Sequence, residues 1–297
     1  MHRAIVASVQ ELAQDPQWLG YRPCPVIAYG VGEETASADV LVPDLAAARA
    51  IEKRVEAWPI AAMTLVQVLR STALLPAAQA LDVESMAFST LQGGEEFAAW
   101  TRNGKRGPPV PVQAGDPVLL SRDGALIEAV LNRAGTRNAI SVEMRDAWVE
   151  ALQLLEADDS VEELRFSALG ACFSAGGELH EFGLAPDPAT AHWVRTVQSP
   201  ARLLARLGAR VSFFVHGACI GSGIELPAFA ARLVAHPDTF FQLPELQMGL
   251  IPGAGGTVSI SRRIGRQRTA WMVLTGRRIN ARTALEWGLV DELVEWR

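Results

Sequence analysis

Two stretches, CFSAGGELHEF at residues 172–182 and HGACIGSGIELPAFA at 216–230, decide how this chain folds. Each follows a run that reads as a strand, RFSAL (165–169) and VSFFV (211–215), and each passes through small residues into a helix-like segment. Small residues at such turns let a ligand approach the backbone, and the free N–H groups of a helix's first turn point outward as donors. Two such turns facing each other would make a two-donor oxyanion hole from main chain alone. Rival readings fit less well. The spacing of GACIGSG and GAGG is not that of a dinucleotide-binding GxGxxG. The order Ile220-Gly221-Ser222-Gly223-Ile224 is not the GxSxG of a nucleophile elbow. The plain alternative is that the glycines only permit tight turns and close helix packing.

A glutamate in apolar surroundings follows each part of this pattern. Glu225 precedes Leu226-Pro227-Ala228-Phe229, and Glu245 lies between TFFQLP and LQMGLIPGAGG. Glutamates are rarely buried without a partner, and apolar surroundings raise a carboxyl pKa toward the range useful for proton transfer. Either alone could be a helix-start carboxylate meeting the dipole. Together they read as a general acid/base pair.

Outward from these turns the pattern alternates strand and helix. VLLSRDGALIEAVL predicts a hairpin about Asp123-Gly124, followed by a helix from Ser141 and a strand at VEELRFSAL. A helix over 189–206, the strand VSFFV, a helix after Ser222, and strands RLVA and TFFQL come next. Helices over 255–264, 266–274 and 281–287 complete the series. The order argues an α/β fold with both sheet faces covered. Ahead of it, GKRGPPVPVQAGDP reads as an extended linker. Before the linker, Pro43 to Lys105 reads as a three-helix block, with Leu45, Ala48, Ile51 and Val55 at helical spacing. Residues 1–40 are a segment of unknown role in which VIAYGV could be a strand.

The charge balance of 27 basic against 33 acidic side chains, without a basic cluster, argues against nucleic acid as a partner. Cys24, Cys172 and Cys219 are odd in number and lie in apolar settings, which argues against a disulfide framework and for a reducing, cytoplasmic location. The histidines show no ligand spacing, so no metal is expected. No apolar run approaches the roughly 20 residues of a bilayer span, and the first residues do not form a signal peptide.

The motifs in their order, LNRAGTRNAIS, CFSAGGELHEF, HGACIGSGIEL, FFQLPELQMGLIPGAGGT and LTGRRINARTALEWGLVDELV, resemble the crotonase superfamily of enoyl-CoA hydratases and isomerases. The resemblance implies a spiral of ββα turns, two roughly perpendicular sheets surrounded by helices, over residues 118–297. It implies an acyl-CoA substrate, no separate cofactor, and an enolate held by two backbone N–H groups, carried over onto Ala175 and Ser222. Glu225 and Glu245 fall on the positions of the two hydratase carboxylates. Retention of both leans toward hydration of a 2-enoyl-CoA; isomerase, hydrolase or decarboxylase chemistry, or non-catalytic acyl-CoA binding, are the alternatives. The loop from Arg133 through Arg137 to Ala139, with Gly176, Gly177, Glu178 and Gly221, matches the CoA- and substrate-contacting positions. Ser222 stands where many members have glycine, His180 where many have lysine, and Ala231 where aspartate is common.

In the family, a segment such as LVDELV is followed by a helical module that makes trimers or dimers of trimers. Here residues 41–105 look like that module placed ahead of the core, with 106–117 as linker. The order resembles a circular permutation. At about 3.3 Å per residue the linker could reach roughly 45 Å. The expectation is that these helices cover the acyl pocket and that the protein is a homo-trimer or hexamer.

Overall fold

In the computed structural model, which describes residues 3–14, 21–31, 37–104, 106 and 113–296, the N-terminal segment forms a sheet of its own. Strand β1 (Ile5–Ser8), helix α1 (Val9–Gln14), β2 (Val26–Tyr29) and β3 (Val40–Val42) follow one another, and the three strands pair in parallel in that order. The first described stretch is thus a strand before it is a helix. The buried Asp39 ties this sheet down. It accepts from Val26 N–H at 2.8 Å and from Arg70 Nε at 2.9 Å, and it faces Arg266 at 3.3 Å.

Four helices follow where three were expected: α2 (Leu45–Ala57), α3 (Pro59–Thr72), α4 (Ala77–Gln92) and α5 (Glu95–Arg102). Asp44 caps α2 by accepting from Ala47 N–H, and Pro59 starts α3, where its missing N–H costs nothing. Gly93 and Gly94 separate α4 from α5. Ala48, Ile51 and Val55 are buried, whereas Leu45 at the helix start is exposed. Half of the linker 106–117, residues 107–112, lies outside the described residues.

The core opens with the hairpin β4 (Val118–Asp123) and β5 (Leu126–Leu131), then α6 (Val142–Ala157), capped by Ser141, and β6 (Glu163–Ala168). The helix expected over 189–206 is two, α7 (Pro188–Val197) and α8 (Pro200–Leu207), because Pro200 cannot continue a helix and Ser199 caps a new one. Then come β7 (Val211–Val215), β8 (Ala218–Ile220) and the single turn α9 (Ser222–Glu225), which Pro227 cuts short. The chain continues through β9 (Arg232–Ala235), β10 (Phe240–Gln242), α10 (Gly256–Thr275, kinked at Gly265), β11 (Ile279–Asn280), α11 (Ala281–Trp287) and β12 (Glu292–Leu293).

A six-stranded sheet runs β12-β9-β7-β6-β5-β4 and a three-stranded one β11-β10-β8. Successive strands therefore alternate between sheets, β7 to β8 and β9 to β10, which is a spiral of ββα turns. Between the large sheet and α6, Trp148 stacks on Phe166 at 4.6 Å and on Phe213 at 5.6 Å, with Phe173 edge-on. All four rings are fully buried. No helix among the described residues is long and apolar enough to cross a membrane.

Candidate active site

The small sheet explains why distant turns meet. Ser174 bridges Cys219 in parallel, and Cys219 pairs in parallel with Phe241. Three parallel segments thus end side by side, and the residues just beyond their ends, 175–178, 221–225 and 244–245, share one rim.

The structure revises one donor. Ala175 N–H, expected in the oxyanion hole, already donates to the Arg137 carbonyl at 2.9 Å. Gly177 is the better-placed residue on that segment. Its neighbours bond to Ile140, Gly176 through its carbonyl at 2.8 Å and Glu178 through its N–H at 3.1 Å. In a parallel bridge the residue between two such bonds turns its own N–H to the opposite side. The chain on that side is Ile220–Gly221, since Ile220 N–H donates to the Ser174 carbonyl at 3.1 Å and a Cβ on Gly176 would lie 2.7 Å from the Ile220 carbonyl oxygen. Neither Gly177 N–H nor Ser222 N–H has an acceptor among the described residues. Ser222 opens a one-turn helix after Gly221, whose φ of +50° bends the chain into it.

The two glutamates converge over Gly221. A Cβ there would lie 2.8 Å from Glu245 Oε1 and 3.8 Å from Glu225 Oε1. Both side chains are buried, 2% and 5% exposed. Glu225 Oε2 accepts from Ala254 N–H at 2.8 Å and Gly256 N–H at 3.0 Å, at the start of α10. Glu245 Oε2 is sealed from solvent without a donor among the described residues.

A third carboxylate completes the group. Glu84 of α4 is buried and accepts from Gly255 N–H at 2.6 Å, Thr257 N–H at 2.9 Å and Thr257 Oγ1 at 2.6 Å. Glu225 and Glu84 thus take alternate N–H groups of one helix start. Burial is the main cause that pushes all three carboxyls up: Glu245 to about 8, Glu84 to about 7, and Glu225 well above its ordinary value, with repulsion from Glu245 and Glu84 adding to it. Of Glu225 and Glu245, Glu225 is the one that two N–H groups hold, whereas Glu245 Oε2 has no donor among the described residues. The signal for Glu84 was available in the sequence: it sits between Leu81 and Phe88 on the apolar stripe of its helix, an unusual place for a charge.

The Arg133–Ala139 loop divides. Arg133 is buried and engaged, with Glu143 at 2.7 Å and the carbonyls of Gly115 at 2.6 Å and Asp116 at 3.2 Å, so the expected CoA contact is corrected to a structural one. Arg137 is exposed, in a left-handed conformation at φ 54°. Ala139 is half-buried and donates to the Thr136 carbonyl. Sequence reasoning missed Asn138, whose buried amide donates to the Leu169 and Cys172 carbonyls at 2.8 and 3.1 Å and accepts from Arg133 N–H at 2.8 Å. It locks the loop to the turn before Phe173. Glu178 accepts from His180 N–H at 3.1 Å, and Nδ1 of His180 is buried without a partner among the described residues.

A cavity of about 510 Å³ joins these groups. Gly176, Gly177, Gly221, Ser222, Glu225 and Glu245 line it, and Leu81, Glu84 and Phe88 of α4 form one wall. Of the helices ahead of the core, α4 is therefore packed on the site. Gly253 must be small, because a Cβ there would overlap the Phe88 ring.

Residues 121–295 match the sequence profile described as enoyl-CoA hydratase/isomerase. The chain is 31% identical over 175 residues to a probable mitochondrial enoyl-CoA hydratase 2 of Arabidopsis thaliana, a match covering 58% of each protein. It is 32% identical over 176 residues to the 2,3-dehydroadipyl-CoA hydratase of Escherichia coli, covering 59% of this chain and 68% of that one. The chain thus spans less than two thirds of the plant relative's length. A solved enoyl-CoA hydratase of Mycobacterium smegmatis superposes with a TM-score of 0.56 at 31% identity, covering 61% of this chain and 70% of that one.

Proposed function

Because the chain belongs to the enoyl-CoA hydratase/isomerase family, of the crotonase superfamily, we propose that it adds water across the 2,3 double bond of an enoyl-CoA thioester. The observation that carries this reading is the convergence of two buried carboxylates over Gly221, in one cavity with the free N–H groups of Gly177 and Ser222. Glu225 accepts a proton from a water as the water oxygen bonds to Cβ. The π electrons of the double bond move into the thioester, and the enolate oxygen rests on Gly177 and Ser222 N–H. Glu245 then delivers its proton to Cα, giving the 3-hydroxyacyl-CoA. Proton exchange between the carboxylates resets the pair. Substrate and water suffice, so no cofactor enters.

The exposed Arg137 is the cation left to meet the CoA phosphates. The test is loss of enoyl-thioester absorbance with crotonyl-CoA and longer enoyl-CoAs, beside Glu225→Gln and Glu245→Gln. Each substitution is expected to lower kcat at least about 100-fold. Turnover that survives both substitutions, or no turnover across the panel, would end the reading. A shifted double bond as the product would point to isomerisation, a second reading that the unpartnered Glu245 Oε2 favours as a lone proton shuttle.

We further propose that residues 41–105 are the family's helical module carried ahead of the core. What supports this is the wall that α4 contributes to the cavity and the roughly 30% of the solved relative that the match leaves uncovered. Superposing the cores should lay α2–α5 on that relative's unmatched helices; occupation of a different face would refute it.

A further inference from the structure

Three arginines line the cavity, and two of them are neutralised. Arg145 pairs with Asp146 and Arg202 with Asp82. Arg195 of α7 has no carboxylate within ion-pair distance among the described residues. Its Nη1 donates to Gln92 Oε1 at 3.2 Å, its Nη2 to Ser89 Oγ, and its Nε has no acceptor. The guanidinium lies over the Phe88 ring at 4.5 Å from the centroid. Glu84 attracts it only from longer range, and burial lowers its pKa to about 10 without discharging it at neutral pH.

Its place along the cavity follows from the contacts already described. Glu225 holds the N–H groups of Ala254 and Gly256, Glu84 those of Gly255 and Thr257, and Phe88 packs on Gly253. Arg195 lies over the Phe88 ring of that arrangement and lines the same cavity as Glu84, Glu225 and Glu245. An acyl chain running from the Gly177 and Ser222 N–H groups past the glutamates would end there. A methyl terminus would leave a desolvated cation facing apolar carbon, which is unfavourable. A carboxylate would give it the charge and the acceptors it lacks.

We infer that Arg195 is a specificity-determining residue that selects acyl groups ending in a carboxylate, so that the preferred substrate is the CoA monothioester of a dicarboxylic acid. This rests on the reading of the cavity as an acyl-CoA site. The competing role is purely structural, a staple between α7 and α4 that also offsets Glu84.

Calorimetric titration of adipyl-CoA and hexanoyl-CoA, both saturated and unable to turn over, separates the two. The full-length protein is expected to bind adipyl-CoA roughly ten- to hundredfold more tightly than hexanoyl-CoA, the worth of a charge-assisted contact. Arg195→Gln should collapse that ratio, and Arg195→Lys, which keeps the charge, should restore part of it. Equal affinities in the unaltered protein, no binding of either thioester, or a loss in Arg195→Gln that falls on both ligands alike would overturn the inference. Binding needs no chemistry, so a preference for adipyl-CoA in a protein that hydrates nothing would uphold Arg195 while removing the hydratase reading.

Discussion

Replacing Glu245 with glutamine should change how stability depends on pH. Burial and the neighbouring Glu84 raise the Glu245 carboxyl from its ordinary 4.5 to about 8 in the folded protein. Between those values the folded state keeps a proton that the unfolded chain has released, so folding stability falls as pH rises. The contribution is fully present below pH 4.5 and is lost as pH passes about 8. One retained proton gives a slope of about 1.4 kcal/mol per pH unit, and the whole window amounts to roughly 3–5 kcal/mol. Glu245→Gln is nearly isosteric and cannot ionise. Urea denaturation of both proteins at intervals from pH 5 to pH 9 should show the variant losing less stability by about one proton's worth of slope. It should become the more stable of the two at the alkaline end. Parallel profiles would mean that Glu245 is already ionised near its ordinary pKa, and the assignment of the proton to it would be wrong.

Other changes have equally definite outcomes. Gly221→Ala places a Cβ 2.8 Å from Glu245 Oε1 at a φ of +50°, and should cost about 1–3 kcal/mol and most of the turnover; steady-state rates near those of the unaltered protein would refute the convergence of the carboxylates. Glu84→Ala leaves Gly255 N–H, Thr257 N–H and Thr257 Oγ1 without their acceptor, and denaturation should show a loss of about 3 kcal/mol. Trp148→Ala, which empties the centre of the aromatic stack, should cost about 3–5 kcal/mol by the same measurement. Light scattering is expected to give three or six times the 32.0 kDa chain mass, and a monomer in solution would remove the trimer expected of the helical module.

Much of the core was legible in the sequence because its cues are local. Short apolar runs gave VSFFV and RLVA, Asp123-Gly124 gave the hairpin, Ser141 marked a helix start, and the glycine turns with Glu225 and Glu245 marked the rim. Where local rules were applied too coarsely the outline blurred: Ser199-Pro200 divides a helix that periodicity alone had run together, and Gly93-Gly94 adds a fourth helix to the block. The roles within the site were another matter, because a backbone N–H carries no signature in the residue type. Whether Ala175 or Gly177 offers a free donor depends on which one a distant carbonyl, that of Arg137, has already engaged. Arg133 and Arg137 look alike in the chain, yet only burial against Glu143 separates them. The sequence determined which segments are strands, turns and helices, since that follows from period and turn chemistry. Tertiary structure alone decided that Glu84 and Arg195, from helices more than a hundred residues apart, meet Glu225 and Glu245 in one cavity, because buried charges acquire their partners and their pKa values from packing rather than from neighbours in the chain.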